Sequence, residues 1–283
     1  MAELLKGAPA AKALTEALRA ESDALRARGI APTLAIVRVG ERDADLSYER
    51  GALKRCEQCG VAARQIVLPS DASQEALLAE LALLNADPDV HGILLFRPLP
   101  EGLDDAAVCA AIAPEKDVDG VTVASMASVY ANAGAGFAPC TAEACVELLR
   151  HYGVPIDGRR AVVVGRSFVI GKPVSMLLLR ENATVTVAHT HTKDLSALCR
   201  EADILIVAAG KMGLIGAEYV RPNQVVIDVG IHGAPDGSLH GDVRFDEVEP
   251  IVGAVTPVPG GVGAMTTALL CKHVIRSAKK SAR

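Results

Sequence analysis

From residue 32 onward, short apolar runs alternate with longer stretches of helical period. TLAIVRV (33–39), RQIVLP (64–69) and VHGILLF (90–96) have the length and β-branched content of buried strands. Residues 45–59 and SQEALLAELALLNAD (73–87) read as helices, the second with Ser73 at its N-cap. The opening MAELLKGAPAAKALTEALRA has mixed charge and helical period, which predicts a first surface helix and lacks the unbroken apolar core of a signal peptide. Strands separated by helices predict parallel pairing through right-handed crossovers.

The second half repeats the alternation. TAEACVELLRHYG (141–153) is a helix closed by Gly153, and RRAVVVG (159–165) is a strand running into a glycine-bearing turn and helix. ATVTVAH (183–189), ADILIVAAG (202–210) and QVVIDVGI (224–231) are further strands, and residues 265–280 form a last helix placed to pack back on the first domain. This is the outline of a doubly wound nucleotide-binding domain. Composition agrees: half the residues are hydrophobic but only 3% aromatic, with no Trp, so the core must be Ala, Val, Leu and Ile, as in a parallel sheet covered by helices.

A net charge of −5 without a basic block argues against nucleic acid or an anionic membrane as partner. No apolar run is long enough to span a bilayer. Seven scattered cysteines, an odd number, fit a reduced, cytoplasmic setting rather than a disulfide framework. The one close pair, Cys56 and Cys59, has no second pair beside it to complete a metal site and sits near a helix end. It is expected to be two small apolar residues, with no metal or redox role.

The turn VVVGRSFVIGKP carries Gly165 and Gly171 between strand and helix. Glycines there let the backbone approach a phosphate at a helix N-terminus. The spacing is not G-x-G-x-x-G, so the flanking strand, helix and next strand carry the reading. That next strand ends in Ala188-His189-Thr190-His191 with no acid to grip a ribose hydroxyl, while Arg166 offers a cation for a ribose phosphate. NADP is therefore expected, with His189 and Thr190 as added donors and NAD left open.

Several segments together resemble the methylene-tetrahydrofolate dehydrogenase/methenyl-tetrahydrofolate cyclohydrolase family: PEKDVDGV (114–121), PCT (139–141), VVVGRSFVIGKPVSMLLL (162–179), VVIDVGI (225–231), GDV (241–243) and TPVPGGVGAMT (256–266). The resemblance implies an α/β protein of two domains with a cleft between them. Residues 1–138 plus 264–283 would form the folate-binding catalytic domain, and 139–263 the Rossmann-type NADP-binding domain. It implies a homodimer acting on tetrahydrofolate one-carbon derivatives, and no metal site is evident in the sequence. Gly165, Arg166, Ser167, Thr190 and Ile231 would line the dinucleotide. Tyr48, Pro98, Leu99 and Asp119, with Pro259, Gly260 and Gly261, would border the folate.

Family members carry Y-x-x-x-K-x-K on the helix that here reads SYERGALKRCEQCG. The tyrosine lies against the folate, and the first lysine is the acid/base group of the cyclohydrolase step. Here Tyr48 is kept and Ala52 stands at the lysine position. Lys54, about 200° further round the helix, faces elsewhere. Phe96 stands where the family has the glutamine that orients the lysine, and Asp45, Ala142, Ala144 and Ala264 are smaller departures. Hydride transfer needs alignment and no protein acid or base, whereas hydrolysis needs a proton carrier. The expectation is a dehydrogenase using Tyr48 and Asp119, with cyclohydrolase activity lost or reduced. The alternatives are a fully bifunctional enzyme and a non-catalytic folate- or NADP-binding regulatory protein.

Overall fold

The computed structural model describes residues 1–281. In chain order its elements are β1 (Glu3–Leu4), α1 (Gly7–Arg26), β2 (Thr33–Val39), α2 (Asp43–Cys59), β3 (Ala62–Leu68), α3 (Gln74–Ala86), β4 (Gly92–Leu95), α4 (Asp105–Ala110), α5 (Val123–Ala131) and α6 (Cys140–His151). There follow β5 (Arg160–Val164), α7 (Gly171–Arg180), β6 (Thr184–Ala188), α8 (Leu195–Glu201), β7 (Ile204–Val207), β8 (Val225–Asp228), β9 (His232–Gly233), β10 (Leu239–His240), α9 (Phe245–Val248), β11 (Ala254–Val255) and α10 (Thr266–Ser281). The chain divides into two compact units, one of Met1–Ala11 with Thr141–Thr266, the other of Lys12–Cys140 with the C-terminal segment from Thr267.

The unit built on Lys12–Cys140 holds a parallel sheet in the order β3-β2-β4. Every residue of β2 is buried, as a central strand covered on both faces requires. Ala35, Val37, Ile93 and Leu95 meet Leu77, Leu81 and Val108 in its core. Ser73 caps α3, its hydroxyl accepting from Ala76 N at 3.2 Å. Helix α2 buries Asp45, Glu49, Ala52, Cys56 and Cys59, a stripe of helical period. It stops at Gly60, whose φ of 73° lets its N–H bond back to Cys56 and Glu57 carbonyls.

The other unit is a six-stranded sheet in the order β1-β11-β8-β7-β5-β6, parallel throughout. The chain runs from β5 to β6 on one side and returns to β7 on the other, so strand order reverses at β5. In such sheets the crevice for a ligand lies at the C-terminal ends of the strands flanking the reversal. The opening segment departs from the expected surface helix: Glu3 and Leu4 pair with Ala254 and Val255 as an edge strand, and only from Gly7 does α1 begin. A two-residue strand carries no periodic signal, so its identity comes from its partner. Among the described residues no helix is long and apolar enough to cross a membrane, and no group of three or more His, Cys, Asp or Glu is placed to hold a metal ion.

Candidate active site and dinucleotide site

On the unit built on Lys12–Cys140, Tyr48 stands near the start of α2, 39% exposed. Its ring meets the ring of Phe96 edge-on, centroids 5.8 Å apart. Phe96 follows β4 and is buried, its N–H donating to Val37 O at 2.9 Å. Ala52, one turn on from Tyr48, is 1% exposed and belongs to the buried stripe, while Lys54 is exposed on another face. Arg97 turns outward and holds Asp105 through both guanidinium branches. That pairing keeps Arg97 above its ordinary range, so it stays a cation. Pro98 is exposed beyond it, and Leu99 packs half-buried on the core.

Within the segment KDVDG, Lys116 and Asp117 differ in task from Asp119. Lys116 Nζ donates to the carbonyls of Leu84, Asn85 and Asp87 at 2.6–2.9 Å, closing the C-terminal end of α3. Asp117 is fully buried and accepts from Val121 N, Thr122 N and Ser125 Oγ, which fixes the entry to α5. Both are committed to the fold. Asp119 is half-buried, and burial first, then the neighbouring Asp117 charge, push its carboxyl up to about 6. Arg97 lies within electrostatic reach of it.

On the other unit, β5 and β6 pair so that Val164 lies opposite Ala188, which brings the Gly165 turn beside His189 and Thr190. Gly165 has φ 127°, and a Cβ there would fall 2.1 Å from Ala208 O at the end of β7. A Cβ on Gly171 would fall 2.2 Å from Gly165 O. The turn is thus closed to any side chain at these two positions. Ser167 Oγ accepts from Ile170 N and Gly171 N at 3.2 and 3.4 Å, bracing the entry to α7. Arg166, Thr190 and Ile231 are exposed around this crevice. His189 Nδ1 accepts from His191 N at 3.2 Å, so the neutral ring carries its proton on Nε2. Asp194, the acid further along, caps α8 through Ala197 N. The tip of β6 therefore offers donors and no free carboxylate, as a phosphorylated ribose requires.

Two carboxylates in this unit had only been part of quoted motifs. Asp242 is fully buried and accepts from Ala209 N at 2.7 Å, Gly210 N at 2.9 Å and the His232 ring at 2.7 Å. Asp228 accepts from Gly230, Asp242 and Val243 N–H groups, each at 3.0 Å, and burial pushes it up to about 6. Together they pin the loops after β7 and β8, including the one that presents Ile231. The signal for them was the pair IDVG and GDV, whose glycines leave room for the carboxylates: a Cβ at Gly241 would lie 1.8 Å from Asp228. Pro259, Gly260 and Gly261 form a turn closed by Gly7 N donating to Gly260 O at 2.8 Å. Pro259 and Gly260 are exposed and Gly261 is buried.

Two family descriptions match the chain: the tetrahydrofolate dehydrogenase/cyclohydrolase catalytic domain over residues 5–119, and the NAD(P)-binding domain of the same family over 139–282. A bifunctional protein FolD of Carboxydothermus hydrogenoformans is 50% identical across 98% of this chain and 97% of its own length. That of Clostridioides difficile is 48% identical across 98% and 96%. Among solved structures, the bifunctional enzyme FolD of Campylobacter jejuni superposes with a TM-score of 0.95 at 38% identity, covering 99% of each chain. The Trypanosoma brucei methylenetetrahydrofolate dehydrogenase-cyclohydrolase, solved with NADP cofactor and inhibitor, gives 0.91 at 37%, covering 100% of this chain and 99% of its own. Catalytic and NAD(P)-binding domains together fill nearly the whole sequence, and the chain belongs to the tetrahydrofolate dehydrogenase/cyclohydrolase family.

Proposed function

We propose that the chain oxidises methylene-tetrahydrofolate to methenyl-tetrahydrofolate with NADP as hydride acceptor, and that it also hydrolyses the methenyl product. Relatives of 50% and 48% identity are named bifunctional, which supports both steps over the loss of hydrolysis expected from Ala52 and Phe96. The observation that carries the first step is the Gly165 turn at the sheet's reversal point, beside a strand tip with donors and no free acid. NADP, when bound, supplies the ring carbon that takes the hydride. Gly165 and Gly171 admit its phosphates, Ser167 braces the turn, and Arg166, His189 and Thr190 meet the ribose phosphate. Ile231, Pro259, Gly260 and Gly261 border the cofactor and folate. Tyr48 and Asp119 hold the folate, with Pro98 and Leu99 at its edge. In this step the residues align donor and acceptor, and no protein proton moves.

Hydrolysis needs a group that gives and takes a proton near neutrality. Ala52 and Phe96 have none, and Arg97 stays charged. Asp119, pushed up to about 6, is the carboxyl suited to that task. A second reading, oxidation alone, rests on the burial of Ala52 and Phe96, which replaces a proton carrier with an alanine and an aromatic contact under Tyr48. One assay separates the readings. Purified protein is given methylene-tetrahydrofolate with NADP⁺ or NAD⁺, and reduced cofactor and methenyl product are followed separately. Methenyl product that disappears faster than its spontaneous hydrolysis supports the bifunctional reading. Accumulation equal to reduced cofactor establishes oxidation alone, and no reduced cofactor overturns both. The resemblance also implies a homodimer, which sedimentation of the purified chain tests.

A further inference from the structure

Asp119 belongs to the contiguous motif KDVDG, yet the peptide that carries it is held from far along the chain. His273, on α10 and 1% exposed, has its Nδ1 2.7 Å from the carbonyl oxygen of Val118. A carbonyl oxygen only accepts, so Nδ1 carries the proton and donates it. Cys140 is buried with its Sγ 3.4 Å from the same oxygen and 3.8 Å from His273 Nδ1. A thiol is the weaker donor of the two. The Phe137 ring stacks on the imidazole, centroids 4.7 Å apart and planes at 26°, which sets the plane of the donor. One turn further along α10, Ser277 Oγ donates to Glu115 O at 2.8 Å. All of these residues lie in the unit built on Lys12–Cys140 and the segment from Thr267.

The consequence for Asp119 is geometric. The Val118–Asp119 peptide is planar, so fixing its oxygen also fixes the Asp119 N and Cα. On the other side, Gly120 has φ 70° and its N–H donates to Asp117 O at 3.3 Å. A Cβ at Gly120 would fall 2.5 Å from Pro139 N, so the backbone there is packed against residues 137–139. With both flanking peptides held, the Asp119 carboxyl moves by its own side-chain torsions alone. The neighbouring carboxylate, Asp117, is already taken up by Val121 N and Thr122 N.

We propose that His273 is a positioning residue for Asp119, acting through the Val118 carbonyl and thereby setting how tightly the unit holds the folate. This rests on the reading in which Asp119 holds the folate. Two features of His273 are separable by substitution. His273→Phe keeps a ring to stack on Phe137 and removes the donor. His273→Asn removes the ring and keeps a donor, because the asparagine amide nitrogen, like histidine Nδ1, is bonded directly to Cγ.

The test compares the full wild-type chain with His273→Phe, His273→Asn and Asp119→Asn in methylene-tetrahydrofolate oxidation. KM is measured separately for the folate and for NADP⁺, and thermal melts check folding. His273→Phe is expected to raise the folate KM more than it lowers kcat, reducing kcat/KM for the folate by up to about 10²-fold. Its KM for NADP⁺ should not move, and His273→Asn should restore the folate KM. A Phe variant that matches wild type, an Asn variant worse than the Phe variant, or equal rises in both KM values would each overturn the proposal. Asp119→Asn separates the two failures. If it raises the folate KM while His273→Phe does not, only the positioning role falls. If it leaves the folate KM unchanged, the assignment of Asp119 to the folate falls and the positioning role with it. Should the Phe variant fail to fold, the Asn variant decides alone: a packing role predicts that it loses folate affinity, and the hydrogen bond predicts that it keeps it.

Discussion

At position 52 a methyl side chain, 1% exposed, lies on the buried stripe of α2 one turn from Tyr48. Ala52→Lys must thread a charged head out of that stripe, which lowers thermal stability unless the stem snorkels to solvent. Joined with Phe96→Gln, which removes the ring from its contact with Tyr48, the lysine gains room and an acceptor. The double variant is expected to raise methenyl hydrolysis by up to about 10²-fold with little change in hydride transfer. An unchanged hydrolytic rate in a folded double variant would rule out position 52 as the controlling residue. Asp119 makes a second prediction. Its carboxyl is about 6 in the fold against 3.8 unperturbed, so the folded state holds the proton more tightly. Its stabilising contribution is fully present below about pH 4 and is lost as pH rises through about 6. Asp119→Asn, which never ionises, should match the wild type in melting temperature at pH 4 and exceed it at pH 8. A difference that does not change with pH sinks this account.

Helix α2 is held to its sheet by a charged contact inside the core. Arg38, on the fully buried β2, donates through Nε to Glu49 Oε2 at 3.2 Å, and Gln65 of β3 donates to Glu49 Oε1 at 3.0 Å. The side chains of the ion pair are 9% and 5% exposed. Removing Glu49 leaves the buried Arg38 guanidinium with only the Gly40 carbonyl and, 3.8 Å away, the exposed Glu41 carboxylate. Glu49→Ala is therefore expected to destabilise the chain by about 3 kcal/mol in urea unfolding, and to weaken folate binding through the shift of Tyr48. A cost below ~1 kcal/mol would mean that Gly40, Glu41 or water compensates the Arg38 charge. At this scale some signals were local and some were not. Ser73 caps α3 through its own backbone neighbours, so the motif was legible. Lys116 and Asp117 lie in the KDVDG segment beside Asp119, and only their partners reveal that both are consumed by the ends of α3 and α5.

The two units do not follow the linear order of the chain. Residues Met1–Ala11 cluster with the dinucleotide-binding sheet, and the segment from Thr267 with the catalytic unit. Leu5 is fully buried beside β1, its N–H donating to Val255 O at 2.9 Å. Leu5→Ala should cost roughly 2–5 kcal/mol and raise hydrogen exchange in β8 and β11 while β2 and β4 stay protected. Loss of protection in β2 and β4 instead would show that Leu5 supports the other unit.

The sequence alone determined the alternation of strand and helix, the parallel character of the main sheets, the glycine turn at Gly165 and the family, because each rests on neighbours within a few residues or on a contiguous motif. Tertiary structure alone decided that Ala52 lies in the buried stripe and that Tyr48 leans on Phe96. It also decided that Asp228 and Asp242 pin distant loops, that Glu3 and Leu4 are a strand, and that His273 holds the carbonyl before Asp119. Those facts depend on partners up to 251 positions apart in the chain. Burial and hydrogen bonding act on spatial neighbours, and periodicity records only which face of an element is turned inward, not what it meets there.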